Sequence, residues 1–145
     1  MGRFFLIGSP CFLDKELSIG DSISVILGTD EDSSNIVPSK MKLDIVYEDN
    51  YLLILNKPAG FPVHPSMRHF DDSLSNGVKF YFDSIGLRRK IRIVNRLDKD
   101  TSGIVIFAKC EYVQELLTIQ MRDNSFKKEY LGIMERYFRC KVWDD

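Results

Sequence analysis

The order of apolar and polar positions divides the chain into strand-like, helix-like and irregular stretches. Ser22-Ile23-Ser24-Val25-Ile26-Leu27 alternates polar with apolar residues and predicts a half-buried strand entered through the Gly20-Asp21 turn. Gly28 to Asn35 is acidic and rich in turn formers and runs into Val37-Pro38-Ser39, a linker pattern that puts a boundary near residue 40. Residues 1–40 are too few to enclose a core and read as an arm or the remnant of a larger module, with residues 41–145 as the main unit. There, Ile45-Val46-Tyr47 and Tyr51-Leu52-Leu53-Ile54-Leu55 predict two strands of a hairpin joined at Glu48-Asp49-Asn50. Pro58, Pro62 and Pro65 then impose a stiff, irregular loop. Asp71, Asp72 or Ser73 can cap a helix with an inward stripe of Leu74, Val78, Tyr81 and Phe82, closed at Gly86 and weakened by about 1 kcal/mol at Gly77. Ile91 to Val94 and Ile104 to Phe107 predict further strands. Glu111 to Asp123 predicts a helix through Val113, Leu116, Leu117 and Met121, and Phe126 to Met134 begins another strand or returns toward the sheet.

Composition narrows the class. Among 145 residues, 44% are hydrophobic and 12% aromatic, enough for one domain with a substantial core and too many for a disordered tail. Twenty Lys and Arg against 21 Asp and Glu leave a net charge of −1, so an anionic partner must be met by a local patch. No apolar run approaches the roughly eighteen residues of a membrane span, and Met1–Ser9 is too short in its apolar part for a secretory signal. A soluble cytosolic protein is expected. Cys11, Cys110 and Cys140 form no CxxC pair and read as reduced, mostly buried thiols, and His64 and His69 lack partners in metal-ligand register. His64 is expected to serve the Pro-rich loop by packing or hydrogen bonding.

The densest chemistry lies between two strand candidates, in Asn95-Arg96-Leu97-Asp98-Lys99-Asp100-Thr101-Ser102-Gly103. A carboxylate packed beside Arg or Lys stays ionised at neutral pH and can act as nucleophile or base. On composition alone the same segment also reads as a solvated turn bonded to its own backbone. Arg88-Arg89-Lys90 with Arg92 forms a cationic cluster before it, to which Lys99, Lys127 and Lys128 could add, although scattered surface cations give the same pattern.

Arg96-Leu97-Asp98 followed by Thr101-Ser102-Gly103 resembles the signature of the RluA family of pseudouridine synthases, matching six of its seven defined positions. Asn56-Lys57-Pro58-Ala59-Gly60 with Val63-His64-Pro65 resembles the family's upstream loop, and Phe126-Lys127-Lys128-Glu129-Tyr130-Leu131 its downstream Lys-x-Tyr segment. The resemblance covers roughly residues 41–134. It implies an α+β fold, a largely antiparallel or mixed sheet with flanking helices, as an incomplete half of the pseudouridine synthase catalytic fold. The implied activity is isomerisation of uridine to pseudouridine in structured, ribosomal RNA, with no cofactor or metal and no membrane partner. Asp98 matches the family's catalytic aspartate, Tyr130 the tyrosine that packs against the target base, and Arg96 the arginine that helps hold the RNA. Arg88, Arg89, Lys90, Arg92, Lys127 and Lys128 are the expected RNA-binding cations. A single carboxylate can attack C1′ or remove the C2′ proton, and both routes stay open. A glycosidase would need a second carboxyl about 5 to 9.5 Å away to act with water, so Asp100 is expected only to stabilise the turn.

Two departures accompany the resemblance. The signature's leading His is Asn95, which keeps hydrogen-bonding capacity without a titratable ring. The family's later basic motif, which pairs with the aspartate, has no counterpart before Asp145, and Met134 to Asp145 is expected not to follow the family pattern. The chain is therefore expected to be a fragment of weak or no activity, with residues 1–40 a remnant of the RNA-binding module that often precedes the catalytic domain. The competing expectations are an RNA-binding fragment without catalysis and a module completed by another chain, the oligomeric state being open.

Overall fold

A computed structural model of the chain describes residues 3–6, 9–11, 14–26, 33 and 35–133. The N-terminal part forms a small antiparallel sheet of β1 (Arg3–Leu6), β2 (Ser9–Cys11) and β3 (Ile23–Ile26) in the order β2-β1-β3. β3 is entered through the turn at Gly20, whose φ of +100° suits a residue without Cβ, and Asp21 closes that turn by accepting from Ser18 N at 2.8 Å. The alternation in β3 does not translate into half burial. Ile23 and Val25 are exposed along with Ser22 and Ser24, because the described residues supply no second layer over these short strands.

The main sheet is antiparallel, in the order β4-β5-β7-β6, with β4 (Ile45–Glu48), β5 (Leu52–Lys57), β6 (Arg92–Ile93) and β7 (Gly103–Ala108). The expected hairpin is β4-β5. Its turn is built by Asp49, whose Oδ1 accepts from the amides of Tyr51 and Leu52, both at 2.7 Å, and these bonds hold the carboxyl below the usual range. β5 and β7 pair from Leu52↔Ala108 to Lys57↔Gly103, which brings the Pro-rich loop and the Asp98 segment to the same end of the sheet.

Period two sends Leu53 and Leu55 of β5 and Val105 and Phe107 of β7 to one face. They share a core with Leu74, Val78 and Phe82 of α1 (Leu74–Ser84) and with Ile36, Val63 and Ile91. Of the three capping candidates, Ser73 does the work, completing a capping box with Asn76. Gly77 has a steric reason. A Cβ there would stand 2.5 Å from Cγ of Met41, so the helix gives up intrinsic stability for close approach of residues 41–43. α2 (Glu111–Arg122) lies against β6 and β7, but none of its residues is buried and Leu116 is 41% exposed. No described helix is long and apolar enough to cross a membrane. The fold is α+β, as its elements and resemblance imply. Phe126 to Ile133 forms no strand and returns toward β7 as irregular chain; Met134 lies outside the described residues.

β4, α1 and the end of β7 are joined by Glu48. It accepts from Lys109 Nζ and from the Tyr81 hydroxyl, both at 2.7 Å. Burial pushes this carboxyl up, but the bonds from Lys109 and Tyr81 and the charge of Lys109 outweigh it, and the net direction is down. Its stabilisation is thus complete above the unfolded carboxylate value near pH ~4.3 and is lost as pH falls through the lower folded value. Glu48→Gln is expected to cost about 1–3 kcal/mol at neutral pH in urea denaturation and to flatten the loss of stability in acid; curves parallel to the parent's would contradict the linkage.

Candidate active site

The segment between β6 and β7 is fixed from both sides by backbone geometry. After β6, the side chain of Asn95 acts as another strand residue: Nδ2 donates to Ile104 O and Oδ1 accepts from Ile106 N, each at 2.9 Å. The residue that departs from the signature therefore extends the ladder with β7. Asp98 opens a turn in which its carbonyl accepts from Thr101 N at 3.1 Å. Gly103 re-enters β7 at φ +132°, a conformation most side chains would strain.

Beneath the turn sits Lys57, fully buried at the end of β5. Its Nζ donates to the carbonyls of Pro58 at 3.0 Å, Phe61 at 2.8 Å and Lys99 at 2.8 Å, so all three donors meet neutral oxygens. Burial pushes the ammonium down from the lysine range, and the charges of Asp100 and Asp98 oppose that shift. Gly60 N adds a bond to the same Lys99 carbonyl at 2.9 Å, with Gly60 at φ +89°. The Pro-rich loop and the Asp98 turn are thus locked together through one carbonyl. In the sequence Lys57 stands within the Asn56-Lys57-Pro58-Ala59-Gly60 motif with no separate role. The signal that identifies its role is alternation, because positions 53, 55 and 57 of β5 all point inward and the third is a lysine.

The other side of the turn opens on a cleft of about 800 Å³. One wall is Asn95, Leu97 and Asp100 to Ile104; the opposite wall is Phe126 to Leu131, including Lys127, Lys128 and Tyr130. Asp98 and Tyr130 are both exposed, and Asp98 makes no side-chain hydrogen bond or ion pair among the described residues. Asp98 does not itself line the cleft; Leu97 before it and Asp100 two residues after it do. Arg96 is exposed and outside the lining as well.

The cation cluster is only partly presented. Arg88 and Lys90 are exposed and Arg89 half-buried, but Arg92 is 6% exposed, with Nη1 donating to Lys90 O at 3.4 Å, so its guanidinium does not face solvent as an RNA contact requires. None of the four lines the cleft, whereas Lys127 and Lys128 do. His64 is exposed, and His69 joins Asp72 and Lys99 in a chain that the sequence did not reveal. Cys110 is half-buried at the start of α2; the side chain of Cys11 and all of Cys140 lie outside the described residues.

Residues 51–144 match the family described as RNA pseudouridylate synthase. That match runs through Met134 to Trp143, so the expectation that this tail abandons the family pattern is corrected, though its structure lies outside the described residues. The uncharacterized RNA pseudouridine synthase YhcT of Bacillus subtilis is 37% identical over 122 residues, covering 84% of this chain and 40% of that protein. Ribosomal large subunit pseudouridine synthase D of Borreliella burgdorferi is 36% identical over 147 residues, covering 94% and 43%. The solved structure of human RNA pseudouridylate synthase domain containing 4 aligns with a TM-score of 0.46 at 23% identity, over 57% of this chain and 30% of that one. The chain spans about 40% of the length of the two bacterial relatives. With its RluA-like motifs in order and the family's pattern matched over residues 51–144, the chain belongs to the RNA pseudouridylate synthase family.

Proposed function

We propose that this chain carries the uridine-isomerising centre of an RNA pseudouridine synthase, within residues 41–145, and that Asp98 is its catalytic carboxylate. The observation that carries the reading is the cleft, where the Asp98 turn forms one wall and the segment of Lys127, Lys128 and Tyr130 the other. A cleft of about 800 Å³ falls within the usual range of ligand pockets, about 300 to 1,000 Å³. A uridine turned out of its stack enters between the walls. Tyr130 offers an aromatic face that holds a base without demanding one orientation, as a rotating uracil requires. Lys127, Lys128 and Arg96 hold phosphate, and part of that binding energy offsets the few kcal/mol of extruding the nucleotide. Ribosomal RNA is the favoured substrate because relatives such as that of Borreliella burgdorferi bear that name.

The chemistry is internally balanced. The bond from N1 to C1′ breaks, the uracil turns, C5 joins C1′, and the C5 proton leaves, with no redox change and no group gained. Asp98 drives glycosidic cleavage by adding to C1′ or by removing the C2′ proton. Lys57 acts at one remove as a positioning residue. It fixes the Lys99 carbonyl and hence the turn.

Release of tritium from RNA labelled at uridine C5 tests the reading. The chain itself is expected to release tritium only weakly, and Asp98→Asn to reduce that release to background while leaving RNA affinity within about threefold; turnover that survives the substitution would overturn the assignment. Lys57→Met is expected to lower unfolding free energy by about 1–3 kcal/mol in urea, because three carbonyls lose their donor, and to depress turnover more than RNA affinity. Unchanged stability in that variant would show that the lock does not bear on the fold.

A further inference from the structure

The segment from Phe61 to Asp72 displays apolar side chains beside the Asp98 turn. Phe70 is 62% exposed, Met67 is fully exposed and Phe61 is 42% exposed, although apolar side chains of this size ordinarily gain by burial. The segment is nevertheless held in place. Ser66 and His69 exchange two backbone bonds of 3.0 Å, closing a tight turn around Met67 and Arg68. His69 Nδ1 meets Asp72 Oδ2 at 2.7 Å, and the Phe70 carbonyl accepts from Asn76 Nδ2 at 3.0 Å. Lys99 Nζ reaches His69 Nε2 at 3.2 Å, which ties this turn to the residue next to Asp98. The Asp98 turn therefore has two flanks. Leu97 and Asp100 face the cleft, while Lys99 engages the segment that presents Phe70.

On the uridine-isomerising reading, a strand crossing the Asp98 turn would place its next nucleotide on the Lys99 flank, to which the Phe70 segment is tied. Unpaired bases stack on aromatic rings with little regard to sequence, and a segment whose backbone is already held loses little freedom when they do so. Arg68 is exposed at the tip of the turn. Asp71 and Asp72 are exposed nearby, so phosphate attraction here is largely offset and stacking is the main interaction. We propose that Phe70 is a stacking platform for the unpaired base adjoining the target uridine, with Arg68 meeting the backbone of that nucleotide. The proposal rests on the uridine-isomerising reading above and adds to it a second nucleotide subsite.

The test uses the full chain, a single-stranded RNA of about ten nucleotides with one central uridine, and the same RNA with each base beside the uridine removed in turn. Phe70→Ala is expected to weaken binding of the intact RNA about 5- to 100-fold, the range of base–aromatic stacking, and to have little further effect on one of the two abasic RNAs; Phe70→Trp is expected to restore binding. Equal losses on intact and abasic RNA, or no loss at all, would overturn the platform, and in a chain that retains Asp98-dependent tritium release they leave the isomerase reading intact. Phe70-dependent stacking without any tritium release would support the subsite and remove that reading. A parent chain that binds none of the RNAs overturns both.

Discussion

The Lys57 ammonium is the constraint on which the site depends. Burying a charge without a carboxylate beside it is costly, and the structure meets that cost with three carbonyl acceptors and the fields of two nearby aspartates. Those acceptors come from both sides of the site, two from the Pro-rich loop and one from the turn that follows Asp98. A neutral side chain of similar length could fill the space but could not hold the loop and the turn in register. The three prolines make the loop stiff enough for such a clamp to transmit position rather than absorb it.

The rest of the architecture serves that junction. Pairing of β5 with β7 sets Lys57 opposite Gly103, so the ladder that builds the core also aligns the clamp with the far end of the Asp98 segment. Asn95 fixes the near end by bonding both Ile104 and Ile106, a role for which a planar side chain with one donor and one acceptor suffices. The turn is thus a short polar bridge between two anchored ends, exposed on the cleft side and locked on the other. On the proposed reading, exposure suits a carboxylate that meets RNA, and the anchoring supplies the geometric precision that a single catalytic group needs.

Much of this was legible because period-two and helical patterns report burial wherever a layer receives them. β5, β7 and α1 follow their apolar stripes, and Ser73 follows capping chemistry. The readings that failed concern what periodicity cannot report. The stripe of α2 is real, but no layer among the described residues buries it, and β3 alternates without a second layer to cover Ile23 and Val25. Arg92 looked like part of a cationic surface because four basic residues lie close in sequence, yet its place in β6 turns it inward. The candidate site was legible as three motifs, whereas their coupling through Lys57, Lys99 and His69 depends on contacts 42 and 30 residues apart that no local pattern encodes.

A structure of the chain bound to uridine-containing RNA tests the central claim most directly. The uracil should occupy the cleft between the Asp98 turn and Tyr130, its ribose within reach of the Asp98 carboxylate and the Lys57 clamp unbroken. An RNA seated elsewhere with the cleft empty, or a bound uracil whose ribose faces away from Asp98, would contradict it.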